Sequence, residues 1–113
     1  MRLNHLDLPV PDVAAATDYF VRGFGFEPVH GGPRMAVLLG ADGFALVLSH
    51  GEPRYPDGFH IGFLQPSDEA VHTAHSRLAA AGIAAPAPQR HDGVLQFWCT
   101  APGGVTIEIS HRG

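Results

Sequence analysis

The sequence predicts an α+β fold built from two β-α-β-β-β modules with mixed sheets, on three observations. Short segments of period-two alternation are interleaved with two stretches of helical periodicity. The pattern restarts halfway along the chain. His5 in N-H-L-D-L is matched by His60 in F-H-I-G-F 55 residues later, Gly25 by Gly82 after 57, and A-L-V-L-S-H (45–50) by T-I-E-I-S-H (106–111) after 61. Finally, 113 residues with 45% apolar content suffice for one domain with its own core.

In chain order, residues 3–10 alternate, with Leu6, Leu8 and Val10 on one face and Leu3, His5 and Asp7 on the other, so they read as a strand. Asp12 caps a helix over about 12–23 whose stripe is Val13, Ala16, Phe20 and Thr17, and Gly23 and Gly25 end it. Residues 26–30 read as a short edge strand containing a proline. Met35–Leu39 and Phe44–Leu48 are strands joined by the tight turn at 40–43. Residues 50–58, H-G-E-P-R-Y-P-D-G, read as a linker. In the second copy Phe59–Leu64 is a strand. A helix capped by Ser67 or Asp68 runs to about Ala81, with Val71, Ala74, Leu78 and Ala79 as its stripe. Residues 83–86 are a short extended run, and Leu95–Thr100 and Val105–Ser110 are strands around the turn at 101–104. The repeat offset grows from 55 to 61, which assigns six extra residues to the second copy, mostly in the Pro-Ala-Pro-Gln-Arg-His stretch. The expected organisation is one domain, 1–113, of two repeats at 1–50 and 58–113.

Composition removes several function classes. A net charge of −4 is a poor match for a phosphate backbone, so no nucleic-acid partner is expected. No 18-residue apolar run and no signal-like h-region occur, so neither a membrane span nor secretion is expected, and the cytoplasm is the expected location. The single cysteine, Cys99, excludes an intrachain disulfide and a four-cysteine metal site. All seven basic residues are Arg. Without lysine, Schiff-base chemistry and a phosphate-loop lysine are absent. Eight histidines in so short a chain keep metal and acid–base chemistry open.

Strand phase selects among them. In the last strand Val105, Ile107 and Ile109 must lie under a helix, so Glu108 faces away. Leu6 and Leu8 place His5 and Asp7 on the open face in the same way, and Ile61 and Phe63 place His60 there. Two histidines and a carboxylate on one kind of face form a ligand set of the facial-triad type, suited to Fe2+ and tolerant of Mn2+, Ni2+ or Zn2+. A mid-strand carboxylate with no Lys or Arg beside it calls for a positive partner.

With these motifs in place, the chain resembles the vicinal oxygen chelate superfamily, the glyoxalase, bleomycin-resistance and extradiol-dioxygenase proteins. The resemblance covers essentially the whole chain. It rests on the paired modules, the opening N-H-L-D-L-P-V-P-D-V, the helix ending before G-F-G-F, and the closing P-G-G-V-T-I-E-I-S. It implies that each module is a curved sheet and that modules pair into an open barrel. It also implies one divalent metal ion per site, with His5, His60 and Glu108 as ligands. Two closures are open, the chain's own modules facing each other or each facing a module of a second copy; the family's short members commonly take the second, so homodimers with sites shared between subunits are expected. The family's fourth ligand, an acid ending the first module, falls on Val47 here. The triad and N-H-L-x-L are also similar to fosfomycin-resistance thiol transferases, with Asp7 standing where those carry a hydroxyl.

Asp7, two residues beyond His5 on the same face, is the candidate catalytic carboxylate, as a base or as a partner to the ligands. Gln96 and Trp98 take the phase of the open face and are candidate substrate walls. Arg34 and Arg90, with His91, lie in loops where they could hold an anion. His72 and His75 read as exposed helix positions, His50 and His111 as solvated strand ends, and Cys99 as buried. Two function classes follow. One is a divalent-metal enzyme acting on a small molecule with two adjacent oxygens, by lyase, isomerase or dioxygenase chemistry. The other is a metal-free small-molecule or antibiotic-binding protein like the bleomycin-resistance relatives.

Overall fold

The computed structural model describes all residues from Met1 to Gly113. Ten elements appear in the order β1 (His5–Val10), α1 (Val13–Phe24), β2 (Glu27–His30), β3 (Met35–Leu39), β4 (Ala45–His50), β5 (His60–Leu64), α2 (Asp68–Ala80), β6 (Gln89–His91), β7 (Val94–Thr100) and β8 (Thr106–Arg112). They build two compact units. One holds Met1–Arg54 with Pro102–Gly104, and the other holds Tyr55–Ala101 with Val105–Gly113.

Within the first unit the sheet order is β1-β4-β3-β2, with β1 parallel to β4 and the other pairs antiparallel. The second unit repeats this as β5-β8-β7-β6, with β5 parallel to β8. In each unit the helix supplies the crossover that a parallel pair requires. The two β-α-β-β-β modules read from the sequence are therefore present, each as a four-stranded mixed sheet with one helix.

Alternation places the core. In the first unit Leu8, Val10, Ala36, Leu38, Leu46 and Leu48 are buried beneath α1, which contributes Val13, Ala16, Tyr19 and Phe20. Phe20 is fully buried and meets Tyr19, Phe24 and Phe26 with ring centroids 5.3–5.9 Å apart. In the second unit Leu95, Phe97, Cys99, Ile107 and Ile109 are buried, together with Val71 and Leu78 of α2. Cys99 is buried inside this core and forms no disulfide.

The helix ends follow capping chemistry. Asp12 accepts from Ala15 N–H at 3.0 Å, and Gly25 adopts φ 75°, a left-handed conformation that closes α1 onto the carbonyls of Phe20 and Val21. Gly23, expected to stop this helix, instead lies buried inside it. For α2 the cap is Ser67, which accepts from Ala70 N–H at 3.0 Å. Its buried stripe also differs from expectation. Ala79 is exposed, and the part-buried His75 takes the i+4 position after Val71. The ring of His75 meets Phe97 edge-on at 5.1 Å, and its Nε2 donates to the carbonyl of Ala85 at 3.0 Å. That contact removes it from the exposed face assigned to it.

The largest departure is the edge strand of the second unit. Residues 83–86 form no strand, and β6 lies at Gln89–His91. A two-residue turn, Asp92-Gly93, joins it to β7 with φ of 49° and 78°. Two successive positive φ values match the twist of a hairpin, and Asp-Gly is suited to them. In the first unit β2 carries Pro28 on the sheet edge, and its pairing with β3 shifts register between Pro28 and His30, as a bulge at Val29 requires.

Phe20→Ala is expected to destabilise the protein by about 3–5 kcal/mol, because the core around it cannot collapse fully. Asp18→Asn, which loses only a solvent-exposed ion pair with Arg22, should cost less than about 1 kcal/mol. Urea denaturation of the two variants compares them directly.

Candidate functional site

Opposite the helix, each sheet presents three cross-strand rows of side chains, set by the strand register. In the second unit the rows are His60–Thr106–Thr100, Gly62–Glu108–Trp98 and Leu64–Ser110–Gln96. In the first unit they are His5–Ala45–Leu39, Asp7–Val47–Val37 and Pro9–Ser49–Met35. Side chains in one row stand about 4.5–5.5 Å apart and successive rows about 7 Å apart, within reach of common ligands.

His60 opens β5 and is exposed. Its Nδ1 lies 2.9 Å from the carbonyl of Gly58. A carbonyl only accepts, so Nδ1 carries a proton, and in the neutral ring the lone pair is on Nε2. His5 is arranged alike, with Nδ1 donating to Asn4 Oδ1 at 2.8 Å. Both rings are thereby held in the tautomer and orientation that a metal-binding imidazole needs. The edge of the Trp98 ring system meets His60 at 5.0 Å and 71°, which further limits how the imidazole can turn.

Glu108 lies one row along from His60 on the neighbouring strand and is half-buried. Ser110 Oγ donates to its Oε2 at 3.0 Å. The carboxylate leans over the backbone of Gly62, where a Cβ would lie 3.8 Å from Oε2. No Lys or Arg forms an ion pair with it. Asp7, on β1, accepts from Ser49 Oγ at 2.7 Å. Ser49 and Ser110 were not singled out by sequence reasoning. Their one signal was the S-H that closes both strand repeats.

Trp98 and Gln96 do share the face of His60. With Pro86, Ala87, Gln89 and His91 they line a shallow pocket of about 330 Å3. Arg90 lies on the alternate phase of β6 from Gln89 and His91, and its guanidinium pairs with Asp68 at the start of α2. The structure therefore does not bring Arg90 together with Trp98 and Gln96. His111 Nδ1 is 2.8 Å from the other oxygen of Asp68. The hydrogen bond from His111 holds the Asp68 carboxyl below its ordinary value; burial opposes it, and the hydrogen bond and charge of Arg90 lower it further. His111 is thus tied to α2 rather than being a free strand end. Arg34 is exposed in the turn before β3, and its carbonyl accepts from His50 N–H at 2.8 Å.

His60 and Glu108 belong to one unit, and His5 and Asp7 to the other. No group of three or more His, Cys, Asp or Glu side chains able to hold a metal ion forms within the single chain. The donor chemistry nevertheless fits a divalent ion: two imidazoles whose anchored Nδ1 leaves Nε2 as the coordinating nitrogen of the neutral ring, and a carboxylate oriented by a serine hydroxyl.

Comparison with known proteins agrees with this fold. Residues 2–109 match the family model of the Glyoxalase/Bleomycin resistance protein/Dioxygenase superfamily, and the chain belongs to that superfamily. A structure described as "a possible Glyoxalase from Bacillus cereus" is 40% identical, with a TM-score of 0.83 over 96% of this chain and 97% of that one. The fosfomycin resistance protein FosX from Listeria monocytogenes shares the fold at 20% identity, with a TM-score of 0.83 over 100% and 94% of the two chains. Lactoylglutathione lyase from Agrobacterium tumefaciens does so at 17% identity, with a TM-score of 0.79 over 97% and 92%. No functionally curated protein matches the sequence. No helix is long and apolar enough to cross a membrane.

The lowered Asp68 value sets a sign for acid sensitivity. A carboxyl whose folded value is depressed adds stability above its ordinary value of 3.8 and loses it as pH falls through the lower, folded value. Asp68→Asn should therefore lower Tm at neutral pH, and its deficit should shrink steadily below pH 3.8. Thermal denaturation across that range measures it.

Proposed function

We propose that this protein is a divalent-metal-dependent enzyme acting on a small molecule with two adjacent oxygens. It works as a homodimer with two equivalent sites. Each site takes His5 and Asp7 from one protomer and His60 and Glu108 from the other. The observation that carries this reading is the matched anchoring of the two imidazoles, each with Nδ1 donating to an oxygen and Nε2 left free. A histidine that merely filled a surface would not require the same tautomer at both repeat-related positions.

Assembly between copies is supported by what the faces expose. Leu64 is 70% exposed and Met35 is 42% exposed, each ending a row of its sheet's open face. Apolar groups so placed favour pairing, and a two-fold dimer would cover each kind of face twice.

His5, His60 and Glu108 would hold the ion, which is Fe2+, Mn2+, Ni2+ or Zn2+ on the chemistry of the donors. When bound, such an ion supplies Lewis-acid polarisation of the two substrate oxygens. The chain's residues do the rest. Ser110 fixes one oxygen of Glu108, which sets the direction of the other. Trp98 and Gln96 form a wall beside His60 that orients the substrate and limits water. Asp7, with Ser49 on Oδ1, is the carboxylate that takes a proton from the substrate and returns it. The cytoplasm is the compartment we assign, where a buried thiol such as that of Cys99 stays reduced.

Elemental analysis after reconstitution should find close to one equivalent of a divalent metal per chain, and Trp98 emission should change on loading. Less than about a tenth of an equivalent across Fe, Mn, Ni, Co and Zn overturns the reading, since a site with these donors should fill.

Mixing tests the shared site separately. His5→Ala and Glu108→Ala homodimers should each bind metal poorly. Subunit exchange between them should restore one intact site per heterodimer. Unrestored binding in a mixture shown to have exchanged overturns sharing between protomers.

A further inference from the structure

The two open faces share a histidine at equivalent places in one outer row and a serine at equivalent places in the other, and they differ in the middle row. There the second unit carries Gly62–Glu108–Trp98 and the first carries Asp7–Val47–Val37. Each middle row holds one carboxylate, and the two stand on different strands. In the second unit the acid is on β8 and the neighbouring β5 position is a glycine. In the first unit the β4 position is Val47, and the acid has moved to its cross-strand neighbour on β1.

Three further features match around the moved acid. The row on one side supplies a serine hydroxyl at equivalent places, Ser49 donating to Asp7 at 2.7 Å and Ser110 donating to Glu108 at 3.0 Å. The row on the other side supplies a histidine at equivalent places, each with Nδ1 donating and Nε2 free. The two carboxylates also lean over equivalent seams, each within its own sheet. Glu108 leans from β8 over Gly62 of β5, and Asp7 accepts from β4 while standing on β1. A longer Glu reaching one way and a shorter Asp reaching the other place an oxygen over the equivalent pair of strands, β5–β8 for Glu108 and β1–β4 for Asp7.

From this we infer that Asp7 is a fourth protein ligand of the metal, doing for the first unit what Glu108 does for the second. The site then has two imidazoles and two carboxylates rather than a three-residue set. This rests on the metal-dependent reading above and goes beyond it. Ser49 is the positioning residue for Asp7, as Ser110 is for Glu108. Two carboxylates and two neutral imidazoles bring the bound dication to zero net charge, which favours retention of the ion. Ligation by one oxygen leaves the other available for the proton transfer assigned to Asp7.

Equilibrium Co2+ binding with visible absorption tests this without any activity assay. Asp7→Asn keeps the shape and an acceptor for Ser49 while removing the charge. It should weaken Co2+ binding by at least about tenfold, the scale on which lost ligand support is felt, and should intensify the visible bands as coordination number falls. Adding Val47→Glu to Asp7→Asn returns an acid to the same row on the other strand, and should bring affinity back to within about threefold of wild type. Circular dichroism confirms that the variants fold, and Asp57→Asn controls for net charge. Affinity and spectrum of Asp7→Asn within twofold of wild type overturn the inference while leaving the three-ligand site standing. A loss that Val47→Glu does not recover overturns the claim that the two positions serve one site. A wild-type protein that binds no Co2+ overturns both readings.

Discussion

Everything on the open faces depends on strict alternation under a single helix. Each sheet has one helix, and the aliphatic half of every central strand lies beneath it. Ile107 and Ile109 are almost wholly buried, and Glu108 stands between them pointing the other way. A slip of one residue in β8 would carry the carboxylate into the core and both isoleucines out of it, a cost that apolar burial and ion desolvation both oppose. The core thus sets which atoms face outward, and the chemistry of the open face is specified by residues that never touch it. The same holds in β1, where buried Leu8 and Val10 fix the direction of His5 and Asp7.

Much of this was legible because period two survives in these strands without ambiguity. The phases of His5, Asp7, His60, Glu108, Gln96 and Trp98 follow from their aliphatic neighbours alone, and the repeat links the two halves. The edge strand β6 was less legible, since three residues carry too little pattern. Its real signal was Asp92-Gly93, a hairpin dipeptide inside a stretch that otherwise looks like linker. His75 was placed on the wrong side of α2 because a histidine on a helix looks polar. An edge-on contact with Phe97 and a carbonyl acceptor make its burial tolerable. The serines were legible only as repeats. That Ser49 meets Asp7, 42 positions away, depends on the parallel register of β1 and β4, which no local pattern encodes.

Alternation also separates two sets of charges that a linear reading would pool. Gln89 and His91 border the pocket, whereas Arg90 between them turns to Asp68 and joins His111 at the start of α2. That cluster ties helix to sheet at the first turn of α2, where a carboxylate is also favoured by the helix dipole. The open face in turn keeps its carboxylates clear of ion pairs, which leaves them available to a cation.

The parallel pairs have a consequence for the order in which this molecule comes into being. β1 has no partner until β4 exists, and β5 has none until β8 exists, since each first strand pairs with the last strand of its module. Such distant pairings carry a loop-closure penalty and are slow to form. On the ribosome the first module has all its strands once His50 has emerged. The second holds β5 with neither edge paired until residues 106–112 have been made. His60 therefore waits, with Ile61 and Phe63 uncovered, for the same strand that delivers Glu108. The half of the protein that brings both a histidine and its serine-held carboxylate is the last to be built and the longest exposed to unwanted strand pairing.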